Sequence, residues 1–174
     1  MLIEGSKFTI RTWKKTDMAA LQKHADNRNV SGFLLDRFPH PYTLADAGAF
    51  INSKLSQNPV VNFAIEINGE VAGGIGLEFR QDVYRKTPLI GYWLSEQHWG
   101  QGIMPEAVQL ITNYAFEQLD VICILAFVLS RNPKSMRVLE KAGFEQQGII
   151  KQSVIKDGVV MDEHVYGINK ESRV

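Results

Sequence analysis

The chain has 174 residues, 45% of them hydrophobic and 22% charged, which is enough apolar material for one globular domain over residues 1–174. Lys+Arg and Asp+Glu both number 19, so no global field recruits nucleic acid or an anionic membrane. No apolar stretch approaches the roughly 20 residues of a membrane span, and the first residues lack a basic start followed by a long apolar run, which predicts a cytoplasmic protein.

In chain order, Phe8, Ile10 and Thr12 alternate with Lys7, Thr9 and Arg11, predicting a half-buried strand over residues 7–13. Thr16 suits the cap of a helix to about Ala25, with Met18, Leu21 and a structural His24 turned inward. The following stretch, Asn27 to Tyr42, is irregular and rich in large apolar groups, among them Phe33, Phe38 and Tyr42. A loop over a pocket and a clasp between two helices both fit it. Thr43 with Asp46 three residues on resembles a capping box for a second helix to about Ser56.

Val60–Ile67 and Glu70–Arg80 flank Asn68-Gly69, a strong hairpin signal. Gly73-Gly74-Ile75-Gly76 lies inside the second strand with no helix after it, so it reads as a site of close backbone approach rather than a dinucleotide loop. A strand over Leu89–Leu94, an amphipathic helix over Ile103–Gln118 and an apolar strand over Val121–Leu129 follow. Two strands joined by a helix are expected to be parallel neighbours with a right-handed crossover. The single cysteine, Cys123, falls in the last of these strands and reads as a small buried hydrophobe. Asn132 as cap, Pro133 in the first turn and Gly143 as stop delimit another helix, and a closing hairpin turns at Asp157-Gly158.

The chemistry concentrates in Gln97-His98-Trp99-Gly100-Gln101-Gly102, between a strand and a helix. A glycine turn opening into a helix leaves several N–H groups directed into one space at the positive end of the helix dipole, which makes an anion site. Gly100 and Gly102 allow close approach of a phosphate, Pro105 fits the first turn, and Glu106 suits the dipole.

The order Q-x-x-G-x-G resembles the acetyl-coenzyme A pyrophosphate loop of the GCN5-related N-acetyltransferases. The string Ile90-Gly91-Tyr92-Trp93-Leu94, then Trp99-Gly100-Gln101-Gly102 and Glu106-Ala107, resembles the branch that acetylates ribosomal proteins and related amines. Asn132 to Phe144 is similar to the family's second cofactor segment. The resemblance implies a mixed α/β fold: a mostly antiparallel sheet, flanked by helices, whose central parallel strand pair splays around the cofactor. It implies acetyl-coenzyme A as cosubstrate, with the backbone of Trp93 and Leu94 pairing with the pantetheine arm. Gln97 would begin the pyrophosphate motif, whose N–H donors come from Trp99, Gly100, Gln101, Gly102 and Ile103. Asn132 would bond the pantetheine, and Lys134, Ser135 or Lys141 would lie near the thiol or adenosine end. Ser135 is also matched to a serine proposed as thiolate acid, although Asn132 is a good cap and Ser135 an ordinary first-turn residue in any helix.

Acetyl transfer needs a neutral amine, a stabilised oxyanion and a protonated leaving thiolate. Many relatives carry a glutamate just before the Ile-Gly-Tyr-Trp string, where this chain has Leu89. Other base candidates are His40, Glu78, Tyr84 and a water chain. At pH 7 about one α-amine in seven is neutral, against about one lysine in 2,500, so a missing strong base favours an α-amine acceptor. The resemblance suggests direct attack in a ternary complex by a primary amine: a protein N-terminus, a polyamine or an aminoglycoside-type small molecule. Asp36, Asp46, Glu78 and Asp82 are available to a polyamine. A non-catalytic coenzyme A-binding or sensing module is the alternative. His24, His40, His98 and His164 are scattered, so no metal site is expected. A homodimer is compatible with the sequence, because exposed aromatics and the closing hairpin could pair across a two-fold axis.

Overall fold

The computed structural model describes residues 2–171. Its strands are β1 (Leu2–Glu4), β2 (Thr9–Arg11), β3 (Asn62–Ile67), β4 (Glu70–Glu78), β5 (Leu89–Leu94), β6 (Cys123–Leu129), β7 (Glu145–Lys156) and β8 (Val159–Asn169). The helices are α1 (Met18–Ala25), α2 (Arg28–Ser31), α3 (Leu44–Leu55), α4 (Ile103–Gln118) and α5 (Pro133–Lys141). The fold is mixed α/β and mostly antiparallel, with one parallel pair formed by β5 and β6. Two compact units divide it: the chain to Gly76 with Tyr92–Ile103, and Leu77–Gly91 with the chain from Met104.

In the first unit β1, β2, β3 and β4 lie side by side, followed by the C-terminal half of β5. The Asn68-Gly69 turn works as expected because both residues take positive φ, 52° and 81°, the twist that a two-residue hairpin requires. Trp13, Leu21, Ala25, Tyr42, Ala47, Ile51, Ala64 and Val71 form the core, with Phe50 edge-on to Trp13 at 5.2 Å. The capping box of α3 is present: Asp46 N–H donates to Thr43 Oγ1, and Thr43 N–H donates to Asp46 Oδ2.

Three expectations for this unit are corrected. Thr16 does not cap α1, because it lies inside a 3-10 turn, Lys15–Asp17, that precedes the helix. Met18 faces outward, while Leu21 and His24 are buried as expected. Arg11 is not on a solvated face. It is 6% exposed, and its guanidinium donates to both oxygens of Asp17 at 2.8 and 2.9 Å and to Glu66. Two carboxylates keep this buried cation satisfied, which strand alternation alone does not reveal.

In the second unit the N-terminal half of β5, β6, β8 and β7 lie side by side. The parallel register sets Leu89 opposite Leu125. Ile124, Ala126 and Val128 turn one face of β6 inward, and α4 buries Ala107, Val108, Ile111, Ala115 and Phe116. Leu110 and Tyr114, on the edge of that face, are half-buried. Asn132 caps α5, its Oδ1 accepting from Ser135 N–H at 3.1 Å, and Gly143 ends the helix at φ 90°. Cys123 is half-buried rather than buried, and burial pushes its thiol pKa up, away from reactivity. Among the described residues, no helix is long and apolar enough to cross a membrane, and no group of His, Cys, Asp and Glu could hold a metal ion.

Candidate functional site

The sequence-marked residues fall into two groups. The first runs from Trp93 to Ile103 and lies in the first unit; the second, Asn132, Lys134, Ser135 and Lys141, lies in the second.

β5 enters the first group alongside β4. Ser95 N–H donates to the Ala72 carbonyl at 2.7 Å, so the backbone groups of residue 95, and by alternation those of residue 93, are directed at β4. The Trp93 carbonyl accordingly faces Gly73, where a Cβ would stand 2.7 Å from that oxygen. The glycine run in β4 therefore admits close approach by another backbone, the reading its place inside a strand suggested. Leu94 faces the opposite edge of β5, and its carbonyl accepts from Trp99 Nε1–H at 2.8 Å. The Trp99 indole thus folds the loop back onto the end of the strand.

Between strand and helix lies a 3-10 turn, Glu96–His98, that the sequence did not announce. Trp99 N–H donates to the Glu96 carbonyl at 3.1 Å and closes this turn. Gly100 and Gly102 then take φ of 74° and 81°, and a Cβ on either would meet nothing within 4 Å. Both positions need left-handed backbone that a side chain resists, and the space beside them is open. α4 starts at Ile103 with first-turn N–H groups that have no intrahelical acceptor. Gln101 Nε2 donates to the Gln97 carbonyl at 3.1 Å, bracing the loop across its mouth. His98 has its pKa lowered from 6.5, first by burial and then by nearby His24, with Glu70 opposing, which favours the neutral ring.

The aromatic stretch before α3 packs against the same strand. Phe38 lies 4.9 Å from the Tyr42 ring and 5.7 Å from Trp93. Tyr42 is buried, and burial followed by the charge of Asp46 pushes its pKa up to about 12. The stretch is anchored at its far end, where Asp26 accepts from Tyr42 N–H at 2.8 Å and lies 3.4 Å from His40 Nδ1.

In the second group, Asn132 Oδ1 is occupied by the α5 cap, Ser135 is half-buried in the first turn, and Lys134 and Lys141 are exposed. The Lys141 carbonyl accepts from Gln109 Nε2 at 3.1 Å, which ties α5 to α4. Of the base candidates, His40 lies in the first unit and Glu78 and Tyr84 in the second. Tyr84 lies under the Arg80 guanidinium at 4.6 Å. The sequence reading passed over Glu163, on β8 opposite Leu129 and Ile150, whose pKa is raised by burial. Only its half-buried setting marks it.

A sheet strand that ends in a left-handed glycine loop at the start of a long helix, in a mostly antiparallel sheet flanked by helices, defines a mixed α/β protein. Residues 7–145 match the acetyltransferase (GNAT) domain family, and the chain belongs to that family, as an N-acetyltransferase. It is 49% identical over 83 residues to a probable N-acetyltransferase, YjcK, of Bacillus subtilis, a match covering 48% of this chain and 46% of YjcK, just under half the length of that relative. It is 26% identical to an uncharacterized N-acetyltransferase, YnaD, of the same organism over 98% of both chains. In fold it matches RimL, a ribosomal L7/L12 alpha-N-protein acetyltransferase solved with coenzyme A, with a TM-score of 0.84 and 23% identity over 97% of this chain and 98% of that one.

Proposed function

We propose that this chain is a single acetyltransferase domain that moves acetyl from acetyl-coenzyme A to the α-amine of a protein N-terminus by direct attack in a ternary complex. The observation that carries the cofactor half is the loop itself: two open left-handed glycines immediately before the first turn of α4, at the positive end of its dipole, suit a pyrophosphate. Gln97 and Trp99–Ile103 are the proposed pyrophosphate segment; of the Trp93 and Leu94 pair expected to hold the pantetheine, the Trp93 backbone faces β4, so the outward edge of β5 at Leu94 is the proposed pantetheine edge. Asn132, Lys134, Ser135 and Lys141 are proposed as further cofactor contacts, with Ser135 as thiolate acid.

For the acceptor, Phe38 packs on Trp93 and Tyr42 packs on Phe38, uncharged groups that suit a peptide better than a polycation. The carboxylates available to a polyamine lie in separate parts of the chain. Asp46 is committed to the α3 cap, Asp36 lies in the aromatic stretch, and Glu78 and Asp82 belong to the second unit. The ribosomal-protein acceptor of RimL points the same way. Thiol release from acetyl-coenzyme A should be followed with N-terminal ribosomal peptides, spermidine and an aminoglycoside as acceptors. Turnover with a peptide class is expected. Turnover with spermidine or the aminoglycoside alone would overturn the acceptor, and tight cofactor binding without turnover would indicate a sensing module.

A further inference from the structure

Beside the loop, four side chains that the acetyl-transfer reading does not use form one chain of contacts. His24, on the last turn of α1, is 5% exposed, and its Nδ1 stands 2.9 Å from Ser95 Oγ. The bond can be made in either tautomer, since a hydroxyl both donates and accepts. On the other side of the ring, Nε2 stands 3.5 Å from Glu70 Oε2, and Lys23 Nζ holds the Glu70 carboxylate at 2.8 and 3.1 Å. Ser95 is the joint between β5 and the loop. Its N–H is fixed on Ala72, and its carbonyl accepts from His98 N–H at 3.0 Å. The next residue is held from the same direction: Asn27 Nδ2 at 2.8 Å and Asn29 Nδ2 at 2.9 and 3.0 Å donate to the Glu96 carboxylate.

We infer that His24, acting through Ser95, is a positioning residue for the pyrophosphate loop. The loop contains two exposed glycines, whose backbone freedom would otherwise be lost when a ligand binds. Fixing the main chain at residues 95 and 96 sets the direction in which it leaves β5, so the N–H groups up to Ile103 are already aimed when the anion arrives. The buried ring supplies a stiff support where a flexible side chain would itself have to be ordered. The inference rests on the reading of this loop as the acetyl-coenzyme A site.

The test measures acetyl-coenzyme A affinity by calorimetry, and KM and kcat by thiol release, for the unaltered chain, His24→Leu, Ser95→Ala, the double variant and His24→Asn. Loss of one preorganising hydrogen bond should weaken binding and raise KM for acetyl-coenzyme A about tenfold in both single variants, with kcat at saturating cofactor within about twofold. The double variant should be no worse than the singles, because both remove the same bond. His24→Asn places an amide where Nδ1 was and should recover most of the affinity. Ser95→Ala removes one oxygen and keeps the ring, so it remains informative if His24→Leu folds poorly. If Ser95→Ala binds the cofactor as tightly as the unaltered chain, or if His24→Asn rescues nothing, the inference is overturned. If the unaltered chain binds no acetyl-coenzyme A, the functional reading fails and the inference with it.

Discussion

Replacing Gly73 with alanine tests the close approach of β4 and β5 that shapes the end of the site. The added Cβ would stand 2.7 Å from the Trp93 carbonyl oxygen, 3.0 Å from Leu94 Cδ1 and 3.4 Å from Leu94 Cα. The nearest of these atoms is backbone, so a side-chain rotation cannot relieve the clash and the strand must shift by several tenths of an ångström. Overpacking of this kind costs about 1–3 kcal/mol. At about 2–4 °C per kcal/mol for a chain of this size, the melting temperature should fall by about 2–12 °C. Gly91→Ala is the matched control, because a Cβ there meets nothing within 4 Å, and a change within about 0.5 kcal/mol is expected. Thermal and urea unfolding, followed by circular dichroism, compare the two. If Gly73→Ala melts within 1 °C of the parent and of the control, the two strands do not approach as described (a shift this small is under about 0.5 kcal/mol).

Asp17→Ala leaves the buried Arg11 guanidinium with one carboxylate, Glu66, besides the Thr12 carbonyl and should destabilise by about 3–5 kcal/mol; a urea-derived loss below about 1 kcal/mol would refute the buried pair. The Asp46 carboxyl is held below its usual 3.8 by the Thr43 hydroxyl and N–H. A depressed folded-state pKa gives stability that is full above the unfolded value and lost as pH falls through the lowered one. The urea midpoint of Asp46→Asn should therefore lie below that of the parent at pH 7, and the gap should close on acidification below about pH 4. At Gly102, φ of 81° strains any β-branched replacement by about 1–2 kcal/mol. A folded Gly102→Val should also lose acetyl-coenzyme A binding in calorimetry; unchanged affinity would remove this loop as the anion site.

Local rules carried much of the description. The Asn68-Gly69 hairpin, the Thr43–Asp46 capping box, the Asn132 cap and the bounds of β5 and α4 follow from signals within a few residues of each other, where turn chemistry and periodicity act directly. The loop at Gly100 and Gly102 was legible for the same reason, since left-handed backbone needs glycine wherever it occurs.

What the sequence could not supply depends on partners far apart in the chain. Arg11 looked like a surface residue because its burial depends on Glu66, 55 positions away, as well as on Asp17. His24 looked merely structural because Ser95, the hydroxyl it holds, is 71 positions distant. Glu163 drew no attention because burial, which no local pattern encodes, is what raises its carboxyl pKa. Sequence alone determined the family, most of the elements and the left-handed glycine loop, each written in short-range steric and hydrogen-bonding rules. Only the tertiary structure decided which polar side chains are buried and paired behind that loop, because a buried charge or hydroxyl is tolerated only where the fold brings it a partner.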